Sequence, residues 1–149
     1  MIVGYGRVGS TIGAAFTRLG VPFVVVEQDR AVFEGLRREG VACVYGDAAR
    51  EGILEHADAK SARLLVLATP EYFHGREVVL RARRLNPDIG TVVRTHSVAA
   101  QRAYEKLRVD RVIMGERELA FGMAHSALVS LGRSDADAEA TIEAIRDGD

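Results

Sequence analysis

Three apolar residues, Met1-Ile2-Val3, run directly into Gly4-Tyr5-Gly6-Arg7-Val8-Gly9, and from there into Ile12, Ala15, Phe16 and Leu19 at helical spacing before a stop at Gly20. A G-x-G-x-x-G pattern held between a strand and a helix leaves few folds open. The first glycine permits a tight turn, the second lets a pyrophosphate approach the backbone, and the third lets helix and strand pack closely. Amides left without partners at the helix start, at the positive end of its dipole, make an anion site. Gly4, Tyr5, Gly6, Arg7, Val8 and Gly9 are therefore candidate phosphate contacts, and Ser10 or Thr11 could add a hydroxyl.

The rest of the chain alternates short β-branched runs with longer amphipathic stretches. Strands are expected at 1–3, 22–27, 41–45, 63–68, 90–94 and 111–114, most of them nearly continuous Val, Ile and Leu, as strands buried on both faces should be. Val32 and Leu36 precede Gly40, and Val78, Val79, Ala82 and Leu85 precede Pro87, so helices should connect the strands. Parallel neighbours need such crossovers. The expected fold is α/β, a Rossmann-like doubly wound parallel sheet of about six strands with helices on both faces. With 149 residues, 48% of them apolar, there is material for one core. A boundary is expected near Gly132, giving a domain over 1–132 and an acidic tail over 133–149, in which residues 134–149 hold six acids and one base and a short helix over 138–146 would turn Ile142 and Ile145 inward. Two features read as incomplete. The opening strand is short, which suggests a native chain that extends upstream, and Leu119 to Leu131 is apolar on more than one helix face, which asks for a second surface such as another subunit.

Glu27 ends the second strand, 18 positions after Gly9, close to the spacing of about 20 residues expected for an acid that binds ribose hydroxyls. A carboxylate there repels a 2′-phosphate and so favours NAD or AMP over NADP. Gln28 and Arg30 follow in the same turn, and Arg30 keeps the NADP alternative open, because arginine can hold that phosphate. Two further loops fall at the carboxyl ends of strands: Gly46-Asp47-Ala48, expected at the adenine edge, and Ala68-Thr69-Pro70, facing the glycine loop. Each has a plain structural alternative as a turn or helix cap. Arg94 and His96 end the fifth strand on the same rim, where they would touch a phosphate or pair with Glu116 or Asp110.

Catalytic machinery is not legible. There is no Tyr-x-x-x-Lys pair, no Walker A sequence, no nucleophile elbow and no HExxH, and the four histidines are far apart. A metal is not expected, and the reading is of a binding domain, not an enzyme. The net charge of −1 argues against a nucleic-acid partner, no apolar run is long enough to cross a bilayer, and the single Cys43 suits a reducing compartment.

Taken together, the glycine motif, Val25-Val26-Glu27, Tyr45-Gly46-Asp47-Ala48, Leu85-Asn86-Pro87-Asp88, Arg94-Thr95-His96 and Val112-Ile113-Met114-Gly115-Glu116-Arg117-Glu118 resemble the TrkA-N or RCK nucleotide-binding domain, and more narrowly the cytoplasmic C-terminal domain of Kef-type monovalent cation/proton antiporters. The resemblance covers about residues 1 to 131. It implies a regulatory module on the cytoplasmic face of the inner membrane, attached to a transmembrane transporter for potassium or a similar cation on the same native chain. It implies NAD or NADH as ligand, with AMP or ATP as alternatives, and a homodimer through the Leu119 to Leu131 helix. The competing readings are an NAD-binding fragment of a dehydrogenase and a separate subunit that docks on a channel.

Overall fold

The computed structural model describes residues 1–148, the side chain of Asp147 excepted; Asp149, counted above in the acidic tail, lies outside the described residues. Two compact units divide between Ile113 and Met114, upstream of the boundary expected near Gly132.

The first unit is built on strands β1 (Ile2–Val3), β2 (Val25–Glu27), β3 (Cys43–Tyr45), β4 (Leu64–Leu67), β5 (Gly90–Thr95) and β6 (Arg111–Met114). They form one sheet in the order β3-β2-β1-β4-β5-β6, with β1 pairing parallel to β2 on one side and to β4 on the other. That order reverses at β1, so the crevice beyond the carboxyl ends of β1, β2 and β4 is the topological switch point where ligands bind in open α/β sheets. Ile2 lies opposite both Val25 and Val66, and Val3 opposite Val26 and Leu67. All six side chains are buried, which explains the unbroken apolar runs. The expected β2 shortens to three residues because only Val25 to Glu27 find partners in the register with β3.

Helices α1 (Arg7–Arg18), α2 (Arg30–Arg38), α3 (Ile53–His56), α4 (Tyr72–Leu85) and α5 (Val98–Lys106) make the crossovers. In α4, Val78, Val79 and Ala82 are fully buried on the sheet. Gly75 lets that helix approach its neighbours: a Cβ there would run into the Tyr104 hydroxyl and lie 2.5 Å from a Leu67 methyl. Tyr104 of α5 is itself fully buried, with its ring edge-on to Tyr72 at 5.0 Å. Burial, helped by Tyr72 and Glu71, pushes its phenol up to about 12. Leu19, expected on the inner face of α1, is the C-cap and 77% exposed, because Gly20 with φ +65° turns the chain away there.

The second unit is a hairpin of α6 (Gly115–Ser130) and α7 (Asp135–Gly148). Phe121 of α6 and Ala138 and Ile142 of α7 are buried in it. The acidic tail is thus a longer helix than expected. Ile145 is 51% exposed and does not turn inward: at that end of the hairpin the Phe121 ring is covered by the Arg146 guanidinium at 4.8 Å, which also reaches Glu118 at 3.1 Å. Among the described residues no helix is long and apolar enough to cross a membrane.

Candidate functional site

At the switch point the chain leaves β1 through Gly4, whose φ of +85° is the left-handed conformation that glycine adopts freely. A side chain there would also press on the Thr69 methyl, 2.6 Å from the position of a Cβ. Gly9 is buried in α1 so tightly that a Cβ would overlap the Gly4 carbonyl oxygen, which is the close helix–strand packing asked of the third glycine. Gly6 is different. It sits as N-cap of α1 with ordinary negative φ, and nothing lies within 4 Å of where its Cβ would be. Its missing side chain leaves open space that no part of the protein fills. Among the described residues no side chain caps α1 and no acid stands in its first turn, so the positive end of the helix dipole is left open there.

The glycine loop forms one wall of an open cleft of about 1000 Å³, large enough for a dinucleotide by the usual pocket range of about 300–1000 Å³. Its own side chains do not plug it. Gly4 to Gly9, Glu27, Gln28, Ala68, Thr69, Pro70 and Arg94, all candidates from the sequence, line it together. Gly46, Asp47 and Ala48 line a smaller adjoining cavity of about 30 Å³, which shares Gly4, Glu27, Gln28, Thr69 and His74 with the main cleft. Arg30 stands apart: it is solvent-exposed and bonded to Glu34 at 2.8 Å, one turn along α2. The hydroxyls of Ser10 and Thr11 donate to the Arg7 carbonyl, at 3.2 and 2.9 Å, and do not line the cleft. Asp110 is likewise engaged away from Arg94: its carboxylate accepts from the Thr91 hydroxyl and amide, at 2.7 and 2.6 Å, which hold its carboxyl below the ordinary value. Arg94 itself donates to the His96 Nε2 at 3.0 Å.

Glu27 is only 8% exposed, and its carboxylate is already well used. Oε2 accepts from the Tyr5 amide of the glycine loop at 2.6 Å, and Oε1 accepts from the Gln28 and Asp29 amides at 2.8 Å each. An ionised carboxylate has about four lone-pair sites, so about one acceptor position remains for a sugar hydroxyl. The acid thus ties the glycine loop to the turn after β2 before any ligand arrives.

Four lining residues escaped sequence reading: Asp29, Val32, Glu71 and His74. Asp29 caps α2, accepting from the Val32 amide at 3.0 Å, a signal the Asp three residues ahead of Val32 did carry. His74 is the larger surprise. Its Nε2 lies 2.5 Å from Oδ1 of Asp47, across a separation of 27 residues. Burial alone would raise the Asp47 carboxyl, but His74, the Ala49 amide and Arg50 together hold it below its ordinary value.

An adenine nucleotide fits these residues on two counts besides size. The space at Gly6 faces an uncapped helix start, and the Thr69 hydroxyl oxygen, on the opposite rim, is buried without a hydrogen-bond partner among the described residues.

Comparison with known proteins agrees with this fold. The TrkA-N domain family matches residues 1–115. A putative cation/proton antiporter of Escherichia coli K12, YbaL, is 38% identical over 120 residues, covering 80% of this chain and 22% of the relative. The glutathione-regulated potassium-efflux system protein KefC of Salmonella paratyphi B is 32% identical over 135 residues, covering 89% of this chain and 21% of the relative. The chain therefore spans about a fifth of the length of these curated relatives. Among solved structures, the TrkA-N domain of the E. coli inner membrane protein YbaL superposes with a TM-score of 0.79 at 38% identity, covering 82% of this chain and 90% of that one. The Kef CTD of Shewanella denitrificans in its AMP-bound form superposes with a TM-score of 0.82 at 28% identity, covering 99% of this chain and 89% of that one. With the match running from the first strand through the last and the motif glycines packed as that fold requires, the chain belongs to the TrkA-N domain family.

Proposed function

We propose that this chain is the adenine-nucleotide-sensing regulatory domain of a potassium or monovalent cation/proton antiport system, acting at the cytoplasmic face of the membrane. The observation that carries this reading is the open cleft at the start of α1, where a glycine with nothing around it faces an uncapped helix N-terminus. The AMP-bound Kef CTD and the antiporter relatives support it. The amides of Gly6 to Gly9 and the Arg7 guanidinium hold the phosphates, on the loop that Gly4 and Tyr5 open and anchor through their own amides to Val26 and Glu27. Glu27 takes the ribose, with Gln28 beside it. Gly46, Asp47 and Ala48 border the base, and Ala68, Thr69 and Pro70 close the opposite side, with Arg94 toward the distal end of a dinucleotide. NAD or NADH is the ligand favoured, AMP or ATP the alternatives, and NADP the least suited because a 2′-phosphate meets Glu27. When bound, the nucleotide supplies binding energy and charge, and the reading assigns the cleft no catalysis. A ligand shifts a gate only by its difference in affinity between the gate states.

A thermal-shift panel with NAD, NADH, NADP, AMP and ATP tests the reading. Linkage gives about 2.7 kcal/mol at a hundredfold excess over Kd, which for a chain of this size raises Tm by roughly 5–10 °C. The order expected is NAD and NADH or AMP ahead of NADP. No shift with any of the five would refute the assignment.

The domain acts as a homodimer in this reading. Leu119 and Met123, one turn apart on α6, and Leu131 at its C-cap are 64%, 65% and 82% exposed, although the same helix buries Phe121 against α7. Sedimentation is expected to give a dimer at micromolar concentration. The double change Leu119→Ser with Met123→Ser is expected to weaken that dimer by at least tenfold without lowering Tm of the monomer, since both side chains stand in solvent.

A further inference from the structure

We infer that nucleotide binding in this cleft is coupled to protonation of His74, the imidazole that joins the ligand cleft to the Asp47 loop; the inference rests on the nucleotide reading above. His74 lines both the main cleft and its small annex, is about one third exposed, and is fastened to Asp47 by the 2.5 Å contact of its Nε2. That contact spans α4 and the loop after β3, so the ring belongs to two elements that border the ligand. Imidazole is the side chain whose charge ordinarily changes between pH 5 and 8. Over that window Asp47 remains ionised, with Arg50 3.9 Å from its other oxygen, so gain of a proton adds one full positive charge at the cleft wall.

The surrounding charges make that addition matter. Glu71 stands on the same rim at the start of α4, and Glu27 and Asp29 face the cleft from β2 and the turn after it. Against these three carboxylates stand only two guanidiniums, Arg7 from the glycine loop and Arg94 from β5. With a neutral imidazole the lining is net negative, which opposes an anionic ligand. Imidazolium removes one unit of that excess, and the ion pair also holds the Gly46 to Ala48 loop against α4. The neutral ring still donates from Nε2 to Asp47, so loss of the proton leaves the fold in place while the phosphates bind less tightly. By reciprocity, binding favours uptake of a proton by the ring.

NAD is the probe, because its diphosphate is ionised throughout pH 5.5–8.5, whereas the monoester of AMP titrates near pH 6 and would mask the effect. Calorimetric titration of the 149-residue chain is expected to show Kd rising about three- to tenfold from pH 5.5 to 8.5, the size expected for one charge several ångströms from a diphosphate at a partly solvated wall. Titration at neutral pH in two buffers of different ionisation enthalpy is expected to report net proton uptake. His74→Gln, with its fold verified by circular dichroism, is expected to bind NAD with a flat pH profile and no uptake. Binding by the unaltered chain that is independent of pH, or a slope that survives in His74→Gln, overturns the coupling alone. Absence of NAD binding at every pH refutes the nucleotide reading and the coupling with it.

Discussion

Replacing Glu27 with alanine is expected to lower Tm by on the order of 10 °C in the absence of any ligand and to weaken NAD binding by at least tenfold. The first effect comes from the three amides of Tyr5, Gln28 and Asp29 that the buried carboxylate accepts. A hydrogen bond to a charged group contributes about 1.5–3 kcal/mol when its loss strands a donor. Water from the cleft replaces part of this, so a total near 3 kcal/mol is the reasonable scale, and about 2–4 °C per kcal/mol converts it to the stated shift. Sequence reasoning alone takes Glu27 as a ribose ligand. The geometry makes it a brace of the glycine loop as well. Glu27→Gln separates the two roles: its amide oxygen can stay with Gln28 and Asp29, but its NH2 then faces the Tyr5 amide donor to donor. That variant is expected to lose less stability than alanine and still bind poorly, because the loop that meets the phosphates is the part released. Thermal melts followed by calorimetric titration check both numbers. An alanine variant that melts with the unaltered protein would show that the brace is not formed in solution.

What could be read in advance follows from how local each signal is. Strands such as Leu64 to Leu67 announce themselves because both faces are buried, so every position is apolar. The glycine motif is nearly as local, since Gly9 is constrained by the Gly4 carbonyl five residues before it, although the Thr69 methyl that presses on Gly4 comes from the distant loop after β4. Helix α5 is hard to read although its cap is present: Ser97 accepts from the Ala100 amide at 3.3 Å, but its buried residues are Ala100 and Tyr104, too few to give much amphipathic contrast. Helix α3 has four residues, too few for any period to show. The His74–Asp47 contact has no local mark at all. It arises because β3 and β4 are carried to opposite sides of β1, which brings the loops after them onto one rim. Likewise the unit boundary at Met114 falls where β6 runs directly into α6 with no linker between them, and the packing of α6 on α7 reveals it.

The two outer glycines of the motif and the inner one should respond to alanine in opposite ways. Gly9→Ala is expected to be among the most damaging single changes in the chain. Its Cβ overlaps the Gly4 carbonyl oxygen, and the atom in the way is backbone, which cannot rotate aside. Overpacking of this kind costs about 1–3 kcal/mol where side chains can yield and more where they cannot, so a loss of roughly 4 kcal/mol and a Tm lower by roughly 10–15 °C are expected. Gly6→Ala meets none of this. Its φ of −71° and ψ of −159° suit any residue, and nothing stands within 4 Å of the added methyl. Alanine is a poorer N-cap than glycine by about 1 kcal/mol at most, so the fold should hold with a Tm within a few degrees of the parent. Binding should not survive, because the methyl occupies the space in front of the α1 amides that the diphosphate needs. A loss of at least a hundredfold in NAD affinity, in a protein that melts nearly normally, is the expected pair of readings. Glycine is dispensable to the architecture at position 6, and a folded Gly6→Ala protein that binds NAD as the parent does would move the phosphate away from the start of α1.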